Sequence, residues 1–244
     1  ASGMINSIGL ANIGVERYIK EMLPIYDDLS TKIIMNIAGT DINEYIEIIE
    51  MTESVSSVIT GYEINISCPN VKKGGMEFGV DREMTAKLTD ELRKRTERLI
   101  IMKLSPNVSD INSIGKAAQD AGADAVSAIN TVVGMSINAT SGQSDIYTTY
   151  GGLSGPAIKP VGIAAVHKLY NKLTIPIIGM GGIVSSEDVV EYILAGSTAV
   201  QVGTANYRDP GIGEDIIDGL TQFIGQSNWK SSADMIGKVQ IYNQ

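Results

Sequence analysis

Short apolar runs alternate with longer stretches in which apolar positions recur every three or four residues, and the alternation persists from Lys32 to beyond Ala199. The short runs predict six strands: Lys32–Ile37, Tyr62–Ser67, Leu99–Leu104, Ala125–Ile129, Ile175–Gly179 and Ala199–Val202. They are mostly short aliphatic runs, as buried parallel strands are. A helical pattern follows each. Asp41 can cap a helix with Ile42, Tyr45, Ile46 and Ile49 on one face, and Asp81 one that carries Met84, Leu88 and Leu92. Ser109 precedes Ile111, Ile114 and Ala118, with Gly122 where a terminating glycine belongs. Pro156 suits a first helical turn, where its missing N–H costs nothing. Ser186, followed by Glu187 and Asp188, opens a helix containing Val189, Val190 and Ile193, with Gly196 as its stop. Ile212, Ile216, Leu220 and Phe223 mark the last clear helix.

Strands alternating with helices imply a parallel sheet with right-handed crossovers. An open doubly wound sheet and a closed (β/α)₈ TIM barrel both satisfy that pattern. The glycine-rich strand ends favour the barrel. Gly179–Gly182 follows the penultimate strand and Gly203–Thr204 the last, and in barrels a phosphate commonly sits between the loops after strands seven and eight. On that count the visible strands are three to eight. The expectation is an α/β fold: a TIM barrel lacking its first two strands in the chain given. Residues 1–244 would form a single domain, incomplete at its N-terminus by roughly 60 residues. Ala1-Ser2-Gly3-Met4 reads as the middle of a loop.

Composition sharpens this picture. With 43% hydrophobic but only 5% aromatic residues, the core must be aliphatic. The net charge of −9 repels nucleic acid and anionic lipid at long range, so neither is an expected partner. No apolar run approaches the ~18 residues of a membrane-spanning helix. One cysteine cannot form an internal disulfide, which points to a reducing cytoplasm. No His/Cys cluster suggests a metal site. The single histidine, His167, lies mid-helix beside Lys168 and reads as a surface residue. The acidic residues scatter over helices, which leaves a paired-carboxylate hydrolase without support. Val132 to Tyr150 is long and polar for a strand-to-helix loop, a length typical of lids and contact surfaces.

The most informative stretch runs from Ile64 to Gly79, INISCPNVKKGGMEFG. It begins as a strand and ends as a glycine-rich loop, so Cys68 falls at a strand's carboxyl end, where barrel enzymes place catalysis. A lone cysteine is most often a small buried hydrophobe. One at a loop mouth flanked by Asn65, Asn70, Lys72 and Lys73 can instead serve as nucleophile or base.

This stretch resembles the dihydroorotate dehydrogenase family, in particular its soluble NAD-linked subtype (class 1B). The resemblance extends in order through Asn6–Leu10, Asn36–Gly39, Lys103–Asn107, Ile129–Thr131, Gly151–Pro160, Gly179–Ile183 and Gln201–Ala205. It implies FMN-dependent oxidation of dihydroorotate to orotate in pyrimidine biosynthesis, with Cys68 as the base for the C5 proton and flavin N5 receiving the C6 hydride. By resemblance, Asn6, Ser7, Ile8, Gly9, Leu10, Asn65, Asn130 and Thr131 bind substrate. Asn36, Asn65, Lys103, Ile129, Gly155, Gly181, Gly182, Gly203 and Thr204 bind FMN, with Lys103 a cation beside N1 and O2 and the glycines near the phosphate. The subtype further implies a homodimer of catalytic chains, joined into a heterotetramer with a partner subunit that carries FAD and an iron–sulfur cluster (2Fe–2S) and passes electrons to NAD. Two features depart from the family: no arginine occurs near Ser141–Tyr147, and the contacts of the family's first two strands have no counterpart. A dihydrouracil-type oxidoreductase and a non-catalytic barrel fragment are the alternatives.

Overall fold

The computed structural model describes residues 2–55, 58–67 and 78–242. Cys68 and residues 69–77 lie outside the described residues. Among the described residues nine strands form: β1 (Met4–Asn6), β2 (Ile33–Ile37), β3 (Ile59–Asn65), β4 (Leu99–Leu104), β5 (Ala125–Ala128), β6 (Val132–Gly134), β7 (Gly151–Ser154), β8 (Ile177–Met180) and β9 (Ala199–Gln201). Six longer helices accompany them: α1 (Ile42–Glu53), α2 (Arg82–Arg93), α3 (Ile111–Asp120), α4 (Lys159–Tyr170), α5 (Ser186–Ala195) and α6 (Ile212–Gln226). Every predicted strand is found: Leu99–Leu104 has the predicted bounds, and the other ends are displaced by at most three residues. The larger sheet runs in the order β2-β3-β4-β5-β8-β9, and β2–β3, β3–β4 and β8–β9 pair in parallel.

The chain divides into two compact units. One comprises Ile8–Leu104 and Ser113–Val126, and holds β2, β3, β4, α1 and α2. The helices start where the local chemistry dictates. The Asp41 carboxylate accepts the N–H groups of Asn43 (2.7 Å) and Glu44 (3.1 Å), and Asp81 accepts those of Glu83 (2.7 Å) and Met84 (3.0 Å). Each thereby satisfies donors that a helix start leaves orphaned. The inward faces of α1 and α2 supply Tyr45, Ile49, Leu88 and Leu92, which with Tyr62, Ile64, Ile100 and Met102 are fully buried. The Glu53 carboxylate gathers the hydroxyls of Tyr62 (2.9 Å) and Thr96 (2.6 Å) and the Arg98 guanidinium (2.9 Å).

The other unit comprises Ala1–Ser7, Ser105–Asn112 and Ser127–Gln244. Its core includes Ala128, Val166, Leu169, Tyr192 and Met235, all fully buried. One expectation is corrected here. The segment containing Met4 is not the middle of a loop: Met4–Asn6 is β1, antiparallel to β7, with Met4 opposite Ser154 and Asn6 opposite Gly152. Its three residues are too few to show a period, and its partner lies far along the chain. As expected, α5 opens at Ser186, and the residue before it, Ser185, is its cap. The Ser185 hydroxyl accepts the Asp188 N–H (3.3 Å) while the Asp188 carboxylate accepts the Ser185 N–H (3.0 Å), a reciprocal capping box. The segment from Val132 to Tyr150 also carries more order than a loop. It opens on β6, which pairs antiparallel with β7, and Ile137 bridges Ser144.

Candidate functional site

In the first of these units, the polar residues gather at the carboxyl ends of β2, β3 and β4. Side chains alternate along a strand, so Glu63 and Asn65 share a face of β3. Register places Asn36 of β2 beside Glu63 and Lys103 of β4 beside Asn65. These four therefore line one face of three adjacent strands. The Asn36 amide donates to Glu63 Oε2 at 2.5 Å, and Lys103 Nζ stands 3.9 Å from the same oxygen. The Asn65 carbonyl accepts the Tyr45 hydroxyl at 2.8 Å, and its side-chain oxygen accepts the Ser67 N–H at 3.3 Å. Phe78 packs edge-on against the Tyr45 ring, with centroids 5.9 Å apart. At Gly79 a Cβ would lie 2.7 Å from the Ile66 carbonyl oxygen, so only glycine lets the chain return this closely to the end of β3. Ile8, Gly9 and Leu10, predicted to bind substrate, are exposed here, and so form a surface segment of this unit.

In the other unit, Asn6 ends β1 opposite Gly152, while Ser7 after it is exposed. Thr131 lies against β7: a Cβ at Gly152 would collide with the Thr131 hydroxyl. The Asn130 side-chain oxygen accepts the Thr131 N–H at 2.8 Å. Asn107, not among the predicted site residues, ties this segment down. Its amide donates to the Thr131 carbonyl (2.9 Å) and accepts the Val133 N–H (3.0 Å). Its position three residues after the end of β4, within the Lys103–Asn107 stretch that resembles the family, was the available signal.

The predicted phosphate loops occupy the same unit. Gly155, Gly181 and Gly182 all have positive φ (86°, 116° and 73°), a region in which glycine is at ease. A Cβ on Gly182 would stand 2.7 Å from the Gly155 carbonyl and 2.9 Å from the Lys159 nitrogen, and one on Gly181 3.4 Å from Ile129. The fold therefore brings Gly155, Gly181, Gly182 and Ile129 together. The Tyr192 hydroxyl reaches the carbonyls of Gly181 (2.7 Å) and Met180 (3.1 Å) and steadies the turn. Met180 is the register partner of Gln201, so Gly203 and Thr204 leave the neighbouring strand end, with nothing within 4 Å of a Cβ on Gly203. Lys159 pairs with Asp188 (2.6 Å) and Glu191 (2.9 Å). The hydrogen bond to Asp188 holds the lysine pKa above its usual range. Burial pushes the Asp188 carboxyl up, but the Lys159 ammonium and the N–H groups of Val184 and Ser185 outweigh it and hold that pKa low.

The family profile described as "Dihydroorotate dehydrogenase" matches residues 1–224. The chain belongs to the dihydroorotate dehydrogenase family. It is 45% identical over 238 residues to the "Dihydroorotate dehydrogenase B (NAD(+)), catalytic subunit" of Oceanobacillus iheyensis, which covers 98% of this chain and 78% of that protein. It is 40% identical over 240 residues to the protein of the same description from Bacteroides thetaiotaomicron, covering 98% and 79%. Among solved structures, "DHODH in complex with ferulenol" from Eimeria tenella superposes with a TM-score of 0.77 at 24% identity, over 97% of this chain and 71% of that one. That likeness gives the fold: the parallel strands β2-β3-β4-β5-β8-β9 are those of a (β/α)₈ barrel. As a member of this family the chain is an oxidoreductase, and the family's chemistry is flavin-dependent. Among the described residues no His/Cys/Asp/Glu group is arranged to hold a metal, and no helix is long and apolar enough to cross a membrane.

Proposed function

We propose that this chain oxidises dihydroorotate to orotate with FMN as the immediate acceptor, in the NAD-linked form of the family. The observation that carries the reading is the array of Asn36, Asn65 and Lys103 on one face at the carboxyl ends of three adjacent barrel strands. Its residue types suit a flavin: a cation for the ring edge that gains negative charge on reduction, and amides for ring edges that both donate and accept. The glycine loops suit a phosphate, because at Gly182 a side chain would occupy the space of close backbone approach.

When bound, FMN supplies hydride acceptance at N5. The chain's own residues do the rest. Lys103 would supply a cation and Asn36 an amide to hold the flavin ring, and Ile129 would give it an apolar contact. Backbone groups at Gly155, Gly181, Gly182, Gly203 and Thr204 hold the phosphate. Asn6, Asn65, Asn130 and Thr131, with the segment from Ser7 to Leu10, orient the substrate's imide and carboxylate. Cys68 would act as the base for the substrate's C5 proton. The relatives' description as a catalytic subunit supports a partner. On this reading the partner carries FAD and the iron–sulfur cluster, and two catalytic chains pair within a heterotetramer.

The test is anaerobic mixing of the purified yellow protein with dihydroorotate, following loss of the visible flavin absorbance. The expected result is bleaching by dihydroorotate and not by dihydrouracil. Cys68→Ala should slow it by about 10²–10⁴-fold, the range of a lost general base, with flavin retained. Wild-type bleaching by Cys68→Ala would remove the base from that residue, and a colourless protein indifferent to FMN would remove the flavin reading altogether.

A further inference from the structure

Glu63 is a buried carboxylate in the middle of a strand, 4% exposed, flanked by the fully buried Tyr62 and Ile64. Sheet packing does not call for it. A buried charge is costly unless paired and hydrogen-bonded, and an apolar residue of similar volume is often neutral or better for stability. What the carboxylate touches is informative. Its Oε2 accepts the Asn36 amide at 2.5 Å from one neighbouring strand and faces Lys103 Nζ at 3.9 Å from the other. Both are residues assigned above to the flavin. Asn36 and Glu63 are register partners, and Lys103 stands opposite Asn65 two residues further along β3. The carboxylate therefore sits one step below the polar ends, bridging the two flanking strands.

We propose that Glu63 is a positioning residue for the flavin site: its carboxylate orients the Asn36 amide and the Lys103 ammonium and tempers the positive charge that Lys103 presents. The inference rests on the reading of Lys103 and Asn36 as flavin contacts. An ammonium stabilises the anionic reduced ring. A fixed negative charge on its far side offsets part of that effect and holds the lysine from turning away. Removing the charge while keeping the shape should therefore make the bound flavin easier to reduce.

The test is a redox titration of the FMN-loaded protein, wild type against Glu63→Gln, together with the FMN dissociation constant of each. Gln retains an oxygen for the Asn36 amide and loses only the charge. The expected result is about a tenfold rise in the ratio of reduced to oxidised flavin at fixed potential. For a two-electron couple that is a midpoint about 30 mV more positive. FMN affinity should stay within about threefold. A ratio unchanged within twofold would overturn the proposal, since a purely structural glutamate has no reason to leave the fold intact and move the potential. Should Glu63→Gln fail to fold, Glu63→Asp keeps the charge but withdraws it from both partners by one methylene. It should weaken FMN binding about fivefold, and wild-type affinity would overturn the proposal equally. If wild type itself binds no FMN, the functional reading fails, an outcome distinct from a wild type that binds FMN beside a Gln variant with an unaltered ratio.

Discussion

Two glycines in similar loops do different work. Gly182 has φ +73°, and a Cβ there would meet the Gly155 carbonyl oxygen at 2.7 Å. Gly203 has φ −108° and open space where its Cβ would be. Gly182→Ala should therefore cost about 1–3 kcal/mol from backbone strain, together with the steric clash, visible as a lower Tm even without flavin. Gly203→Ala should lower Tm less, and its effect on FMN affinity then reports how closely the ligand approaches that backbone. The sequence marks both positions as glycine-rich strand ends but does not separate them, because φ is set by what each loop must clear. Glu63 is the converse case. The sequence pattern did not single it out, because its meaning needed Asn36 and Lys103, which only register brings to it.

At the scale of elements, legibility followed locality. Asp41 and Asp81 were readable as caps because a carboxylate two and three residues before free N–H groups is a local arrangement. Asp41→Ala should remove about 1 kcal/mol, measured as a shift in the urea midpoint with an unchanged slope. The start of α5 at Ser186 was readable as well, but the sequence did not say which residue caps it. Ser185 wins because its backbone is extended (φ −148°, ψ 169°) and its hydroxyl and Asp188 close a reciprocal pair. The small β1-β7-β6 sheet escaped entirely. Its strands are three or four residues long, too short for a period-two pattern to register, and the partner of β1 lies about 150 residues along the chain.

At the scale of the whole molecule, each compact unit holds a carboxylate whose pKa the fold lowers. Burial pushes Glu53 up, but hydrogen bonds from Thr96 and Tyr62 and the Arg98 ion pair outweigh it and hold it low. Asp188 is held low in the same manner. A depressed folded-state pKa contributes stability above the ordinary carboxylate value, and that stability is lost as pH falls through the folded value. The protein should therefore destabilise on the acid side, below about pH 4. A Glu53→Gln, Asp188→Asn variant should begin less stable at neutral pH and lose less Tm between about pH 5 and about pH 3. Equal acid sensitivity in variant and wild type would place the effect elsewhere. The sequence by itself determined the alternation of strand and helix, the main caps, the aliphatic core and the family, because periodicity, capping and ordered motifs are written in neighbouring residues. Tertiary structure alone decided which polar groups meet. Asn36, Glu63 and Lys103 converge, and Gly155 packs on Gly182, because the register of adjacent strands and the close approach of distant backbones set those distances, and neither is a property of any one segment.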